Sequence, residues 1–329
     1  MLCCIARSPI LRETEVTVAV LALDIGGTKL AAGIVDSGGN VLARAEVPTL
    51  AAEGPERVLD RIIRLAKAVM SAPGISGRAI QRVGIGCAGP ADRRAGLVLN
   101  PPNLPGWIRV PLVDHVQKAL GHPAVLENDA NAAALGEFRY GAGKGANSLV
   151  YLTVSTGIGG GIILDGKLWH GLKDGAGEVG HMTLVPDGPV CGCGNRGCLE
   201  ALASGPSIAR RAREALSTGR SSRLRDVQDL TAADVARLAQ EGDTVAAEVW
   251  TATVEYLALG VAAVVTIIAP ERVVIGGGVA KAGDFLFEPL RRQVRHRVKL
   301  VAVASLPILP AVLGPDVGIL GAAAVALED

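Results

Sequence analysis

The stretch VTVAVLALDIGGTKLAAGIVDSGGNVLARAEV, residues 16–47, sets the plan of the chain. Its apolar, β-branched start (16–23) predicts a strand, and the glycine loop DIGGT follows at once. A second apolar strand, an SGGN turn at 37–40 and a third strand complete the unit. After residue 145 the plan recurs: NSLVYLTVSTGIGGGIILDGKLW (147–169) reads strand, glycine loop, strand, turn, strand. A plan repeated in both halves predicts two lobes of related topology.

The segments between fit that scheme. PERVLDRIIRLAKAVMSA (55–72) sets Val58, Leu59, Ile62, Ile63, Leu65, Ala66 and Val69 at helical spacing. RVGIGCAGP (82–90) is a strand ending in a loop, AVLEN (124–128) a strand, and DANAAALGEF (129–138) a helix with Asp129 at its N-cap position. Further helices are predicted at about 205–217, 231–241 and 243–266. RVVIGGGVA (272–280) is a strand feeding a third glycine loop, and PDVGILGAAAVAL (315–327) closes the chain as a helix. This order predicts an α/β architecture with its ligand at the carboxyl ends of strands, between lobes.

Composition narrows the function. The 329 residues are 49% apolar but only 3% aromatic, so the core is built from Ala, Val, Ile and Leu. Lys and Arg (33) nearly cancel Asp and Glu (32), with no basic stripe of the kind nucleic acid requires. No apolar run reaches the ~18 residues of a membrane span; LGVAAVVTIIAP (259–270) reads as a buried helix running into a strand. The N-terminus lacks the charged start and apolar stretch of a signal peptide, so a cytoplasmic location is expected. Cys3 and Cys4 fall in a frayed tail, and Cys87 reads as a core residue.

Chemistry concentrates in two kinds of motif. Asp24-Ile25-Gly26-Gly27-Thr28-Lys29, Ser155–Gly161 and Gly276-Gly277-Gly278 are glycine loops, each after an apolar strand. None fits a Walker or dinucleotide pattern. Singly each reads as a tight turn. Two at equivalent points of a repeat point instead to a nucleotide gripped between lobes, its phosphates met by backbone N–H groups. The second motif is CGCGNRGCLE (191–200), with Cys191, Cys193 and Cys198 interleaved with glycine. Zinc takes four tetrahedral sulfur or nitrogen ligands. His181, ten residues upstream of Cys191 in GEVGHM, is the best fourth ligand, and the compartment disfavours a disulfide. Asp129, where a strand meets a helix, is either a cap or a base facing the cleft.

DIGGTK, NPPNLPGW, ENDANAAALGE, STGIGGG, GEVGH, CGCGNRGCLE and VIGGG stand in an order that resembles the ROK family (repressors, open reading frames, sugar kinases), within the actin-like/hexokinase superfamily. The resemblance runs from about Leu21 to the C-terminus; Ser155 stands where many members have glycine. It implies a two-lobed α/β fold of the actin-like ATPase (ribonuclease H-like) type with an interlobe active-site cleft. An N-terminal extension (1–20) would precede an N-terminal lobe (21–135), joined by the C-terminal helix (315–329); residues 136–314 would form a C-terminal lobe with a zinc-binding loop. It also implies a homodimer.

The activity implied is Mg²⁺-ATP-dependent phosphorylation of a hexose, foremost glucose at its 6-hydroxyl. A kinase for an amino or N-acetyl sugar (N-acetylmannosamine, N-acetylglucosamine, kanosamine) or fructose is the alternative. A sugar-responsive regulator is a remote one, because the first ~20 residues show no helix-turn-helix pattern. By resemblance Asp129 is the catalytic base, and Asn103, Asn128, Glu178, His181 and Glu200 hold the sugar. Gly26, Gly27 and Thr28 meet the terminal phosphates, Lys29 neutralises their charge, and Asp24 positions Mg²⁺ through water. Thr156 and Gly157 hold phosphates from the other lobe, with Gly277 and Gly278 nearer the adenosine. His181, Cys191, Cys193 and Cys198 would hold a zinc that is structural, since no coordination position is left for water.

Overall fold

A computed structural model describes residues 18–75 and 78–328. Most of the expected N-terminal extension, including Cys3 and Cys4, lies outside the described residues, as does the start of the first predicted strand. The first sheet holds β1 (Ala19–Ile25), β2 (Lys29–Asp36), β3 (Val41–Pro48), β4 (Ile80–Cys87) and β7 (Ala124–Asn128), in the order β3-β2-β1-β4-β7. A two-stranded ribbon, β5 (Ala91–Asp92) and β6 (Leu97–Val98), lies between β4 and β7 in sequence. The second sheet holds β8 (Leu149–Val154), β9 (Ile158–Leu164), β10 (Lys167–Leu168), β11 (Arg272–Gly276) and β12 (Ile308–Pro310), in the order β10-β9-β8-β11-β12. In each sheet the first three strands form an antiparallel meander, and the last two run parallel to the first. The repeat read in the sequence is therefore a repeat of topology.

Helices α1 (Pro55–Met70) and α2 (Leu112–Leu120) cover one face of the first sheet. Their buried stripe includes Val58, Ile62, Ala66, Leu112 and Val116, and each fully buried Leu or Ile contributes about 1.5–3 kcal/mol. The second sheet is covered by α4 (Leu199–Ala203), α5 (Gly205–Ser217), α6 (Ala232–Gln240), α7 (Thr244–Ile268) and α8 (Asp284–Arg297). The sequence reading omitted α2 and α8. It also underestimated the apolar length of α7, whose 25 residues could cross a membrane by length and composition. Here α7 packs against α4, α5, α6 and α8, with Val249, Leu257 and Val261 buried in that core.

Helices α3 (Asp129–Tyr140) and α9 (Val317–Ala326) sit between the sheets. α3 packs on α9, β8 and β9, while α9 packs on β1 and β4. Their crossing is close because Gly136 and Gly321 meet; a Cβ on Gly321 would lie 2.5 Å from the Ala132 carbonyl oxygen. The boundary expected at 135–136 thus falls inside α3, a helix shared by both halves.

Strand register brings the functional loops level. Ile25 pairs with Cys87 and Cys87 with Asn128, so loop 26–28, loop 88–90 and the start of α3 leave the same sheet edge. In the second sheet, loop 155–157 and loop 277–278 leave the ends of the adjacent parallel strands β8 and β11.

Candidate active site

The start of α3 corrects one sequence assignment. The N-cap is Asn128, not Asp129: Asn128 Oδ1 accepts from the N–H groups of Ala130 (2.9 Å) and Asn131 (3.2 Å). Asn128 also donates through Nδ2 to the Gly89 carbonyl at 3.1 Å. Asn128 therefore anchors the turn, and Asp129, in the first helical turn, projects its carboxyl into a cavity of about 180 Å³ that Gly160 and Glu178 also line. That carboxyl is reached by solvent from the cleft but has protein around it at longer range. Burial, then repulsion from Asp24, lifts its pKa to about 6. Burial likewise lifts Asp24 to about 6, against the attraction of Lys29. Asp24 makes no hydrogen bond or ion pair with another described side chain; its carboxyl, at the end of β1, lies against α9, where a Cβ on Gly318 would overlap it.

The acid limb of activity should follow. The raised pKa keeps a fraction of Asp129 protonated well above the ordinary carboxyl range, and only the ionised form accepts a proton. Activity (kcat/KM) is expected to fall as pH drops through about 6, with the two carboxyls titrating as a pair. A profile flat down to about pH 4.5 would exclude Asp129 as the working base.

The first glycine loop is a tight turn in which Gly26 N–H donates to the Lys29 carbonyl at 3.0 Å. Thr28 is exposed at its tip. Asn103 lies against it: a Cβ on Gly27 would sit 2.6 Å from the Asn103 Cβ. Lys29 pairs with Glu46 at 3.4 Å, both exposed, so its charge has a protein partner as well as the loop. In the other half, Thr156 and Gly278 line a cavity of about 440 Å³ with Pro206, Arg213, Leu230 and Ala232. This mixed apolar and polar cavity, large enough for a nucleoside, draws on residues the sequence reading did not single out. Gly277 has φ +89°, and a Cβ there would lie 2.4 Å from the Val154 carbonyl oxygen. Gly277→Ala is therefore expected to lower stability by about 1–3 kcal/mol and, because Gly278 beside it lines this cavity, to raise the KM of a ligand held there more than that of one held beside Asp129. A thermal melt and the two KM values check this.

The four zinc candidates converge. One ligand atom from each of His181, Cys191, Cys193 and Cys198 lies within 4.8 Å of every other. Cys191 Sγ is 3.6 Å from His181 Nδ1, and Cys193 Sγ is 3.8 Å from Cys198 Sγ. A tetrahedron with bonds of about 2.3 Å to sulfur has edges of about 3.8 Å, so these two contacts match its edges and the donor set suits zinc. A disulfide would need far shorter sulfur contacts. Burial and neighbouring thiols push Cys198 up to about 12; a cation at the centre would reverse that by favouring the thiolate. His181 Nε2, the nitrogen left over, faces Glu178 Oε2 at 3.8 Å.

Glu200 has a task besides the one the resemblance implied. Its Oε2 accepts from the Ile158 N–H at 2.8 Å, and its Oε1 lies 3.8 Å from Cys191 Sγ. It ties the cysteine cluster to the end of the second glycine loop.

The sequence reading missed a buried group next to Asp129. Glu127, at 3% exposure, accepts through Oε1 from the Asn128 N–H (2.9 Å) and Asn131 Nδ2 (3.0 Å). Its Oε2 is 2.8 Å from His170 Nε2. It joins the start of α3 to the loop that carries Glu178. An acid inside the apolar strand AVLEN was the available signal.

The ROK family model matches residues 20–329. The chain belongs to the ROK family. Among curated relatives, the glucokinase of Thermotoga maritima is 40% identical over 314 residues, 94% of this chain and 97% of its own. Among solved structures, the ROK hexokinase from Thermus thermophilus superposes with a TM-score of 0.79 at 39% identity, covering 94% of this chain and 98% of that one. A ROK family glucokinase from Streptomyces griseus, in complex with glucose and AMPPNP, gives a TM-score of 0.79 at 35% identity, over 94% and 99%. The fold is that of these ROK kinases: an actin-like ATPase with two sheets of one plan.

Proposed function

We propose that glucose is the sugar this protein phosphorylates, at its 6-hydroxyl, with Asp129 as the general base. The protein is an ATP-dependent sugar kinase, glucokinase-like by its full-length similarity to ROK glucokinases. The observation that carries the reading is the carboxyl of Asp129, which accepts from the Ala130 N–H at 2.9 Å, is raised to about 6 and faces a cavity shared with Glu178 at the level of the glycine loops.

Phosphoryl transfer needs positioning and charge neutralisation more than covalent chemistry. Asp129 takes the 6-hydroxyl proton as the oxygen bonds to the γ-phosphorus, and ADP leaves with the bridging oxygen. Gly26, Gly27 and Thr28 receive the terminal phosphates from one half, Thr156 and Gly157 from the other. Gly278 lines the nucleoside cavity, Gly277 precedes it in the same loop, and Lys29 adds positive charge at the mouth. Asn103, Asn128, Glu178, His181 and Glu200 hold the sugar hydroxyls; Asn128 keeps one Nδ2 hydrogen beyond its structural bonds for this task. Asp24 would hold Mg²⁺ through water, which supplies the countercharge for the phosphates. His181, Cys191, Cys193 and Cys198 would hold zinc, which braces the loop.

Halves of 21–135 and 136–314, divided within the shared helix α3 and with 315–329 joining the first, would close around both substrates through small shifts about that helix and exclude water. A cytoplasmic homodimer completes the proposal, since the donor is ATP; light scattering after size exclusion tests the assembly. A coupled ADP-release assay with Mg-ATP against glucose, mannose, fructose and the N-acetyl hexosamines tests the substrate. Glucose should have the highest kcat/KM. Preference for an N-acetyl sugar would overturn glucose but not the mechanism, and silence on every sugar would overturn both.

A further inference from the structure

Beside the sugar cavity lies a larger one, of about 760 Å³, that the reaction above does not use. The two share Arg93, Lys173 and Asp174 in their walls, but Asp129 lines only the first. Its wall carries four cationic side chains, Arg93, Arg94, Arg109 and Lys173, against the carboxylates of Asp92 and Asp174. Arg94, Arg109 and Lys173 are exposed, and their side chains make no ion pair or hydrogen bond among the described residues. Arg93 Nε is shielded from solvent without a hydrogen-bond partner; its nearest carboxylates, on Glu127 and Asp174, stand at 3.7 and 3.8 Å. The backbone is strained at the same place. Arg109 (φ 53°), Lys173 (φ 50°) and Asp174 (φ 59°) are three of the six described non-glycine residues at positive φ. Such strain gathers at ligand clamps.

We propose that this cavity is an anion subsite that receives a phosphate carried by the hexose on the end remote from its 6-hydroxyl. Arg94, Arg109 and Lys173, exposed and without ion-pair partners among the described residues, give the cavity cations that match phosphate oxygens, and Arg presents paired donors to them. The shared wall sets the two cavities side by side, with carboxylates at Asp129 and Glu178 for hydroxyls in one and cations beyond Arg93 for a charged substituent in the other. A hexose 1-phosphate has its charge at the required end.

The inference rests on the placement of the sugar beside Asp129, and the experiment separates the two. Glucose 1-phosphate is titrated into the wild-type enzyme and the Arg94→Ala/Arg109→Ala double variant during glucose phosphorylation. Detection is specific for glucose 6-phosphate, so that turnover of the probe is not counted. Competition with glucose is expected. Its Ki should be about tenfold higher in the variant, where two exposed guanidinium groups no longer meet the phosphate, with a glucose KM within about twofold of wild type. Competition should weaken as salt is raised. An unchanged Ki, or no competition, overturns the subsite. Equal inhibition by inorganic phosphate alone would make it a free-anion site and overturn the attached group. Absence of glucose turnover in the wild type would overturn the placement of the sugar itself.

Discussion

Asp129→Asn should give a folded protein whose kcat has fallen by about 10²–10⁴-fold, the range for loss of a general base. The amide keeps the size of the side chain and the start of α3, because the cap belongs to Asn128 and not to the altered residue. Stability should move the other way. In the fold the Asp129 pKa stands at about 6, raised from 3.8, so the folded state holds the proton more tightly than the unfolded chain does. Ionisation therefore destabilises the fold. The penalty is full above about 6 and absent below the ordinary carboxyl value. The neutral amide escapes it, and loses the repulsion from Asp24 as well. The variant should thus melt no lower than wild type at neutral pH, with any advantage fading as pH falls towards 4. Near-normal turnover would refute the base. A large drop in melting temperature would show that Asp129 carries structure instead.

That variant depends on a detail the sequence could not supply. ENDAN puts three polar residues where a strand becomes a helix, and nothing local tells a cap from the residue after it. Only the hydrogen bonds to Asn128 Oδ1 decide. The strands and glycine loops were legible because their signals are local: an apolar run, then glycines, then another run. Helix α8 was missed although Leu286, Phe287, Leu290 and Val294 mark its buried face, because its four arginines, His296 and Pro289 dilute the pattern. Contacts between distant segments were beyond reach for a different reason. Glu127 and His170 are 43 residues apart, and Glu200 meets Ile158 across 42. Spacing along the chain carries no trace of such pairs. The cysteine cluster is the exception: its long-range partner, His181, was found because metal chemistry demands a fourth ligand.

Cys193→Ser should uncouple sugar binding from nucleotide binding. Cys193 is the exposed member of the set, so its replacement empties a ligand position without opening the core. Hydroxyl is a poor zinc ligand, and on the proposal that the four residues hold one zinc per chain, zinc content should drop well below that. The consequence travels by stated contacts. His181 Nδ1 belongs to the cluster while Nε2 faces Glu178, and Cys191 adjoins Glu200, which holds the Ile158 N–H. Without the proposed metal, His181, Glu178 and Glu200 would lose their common anchor, and kcat/KM for glucose should fall by about 10–100-fold, the usual effect of loosening support around a site. The nucleoside cavity, lined by Thr156, Pro206, Arg213 and Gly278, includes none of the four ligands, so the KM for ATP should change far less. Elemental analysis of the purified protein and the two KM values decide the matter. A variant that retains its zinc with normal sugar affinity would show that three ligands suffice and that the fourth braces nothing. Loss of zinc with both KM values unchanged would show that the sugar-binding carboxylates are held by the fold alone.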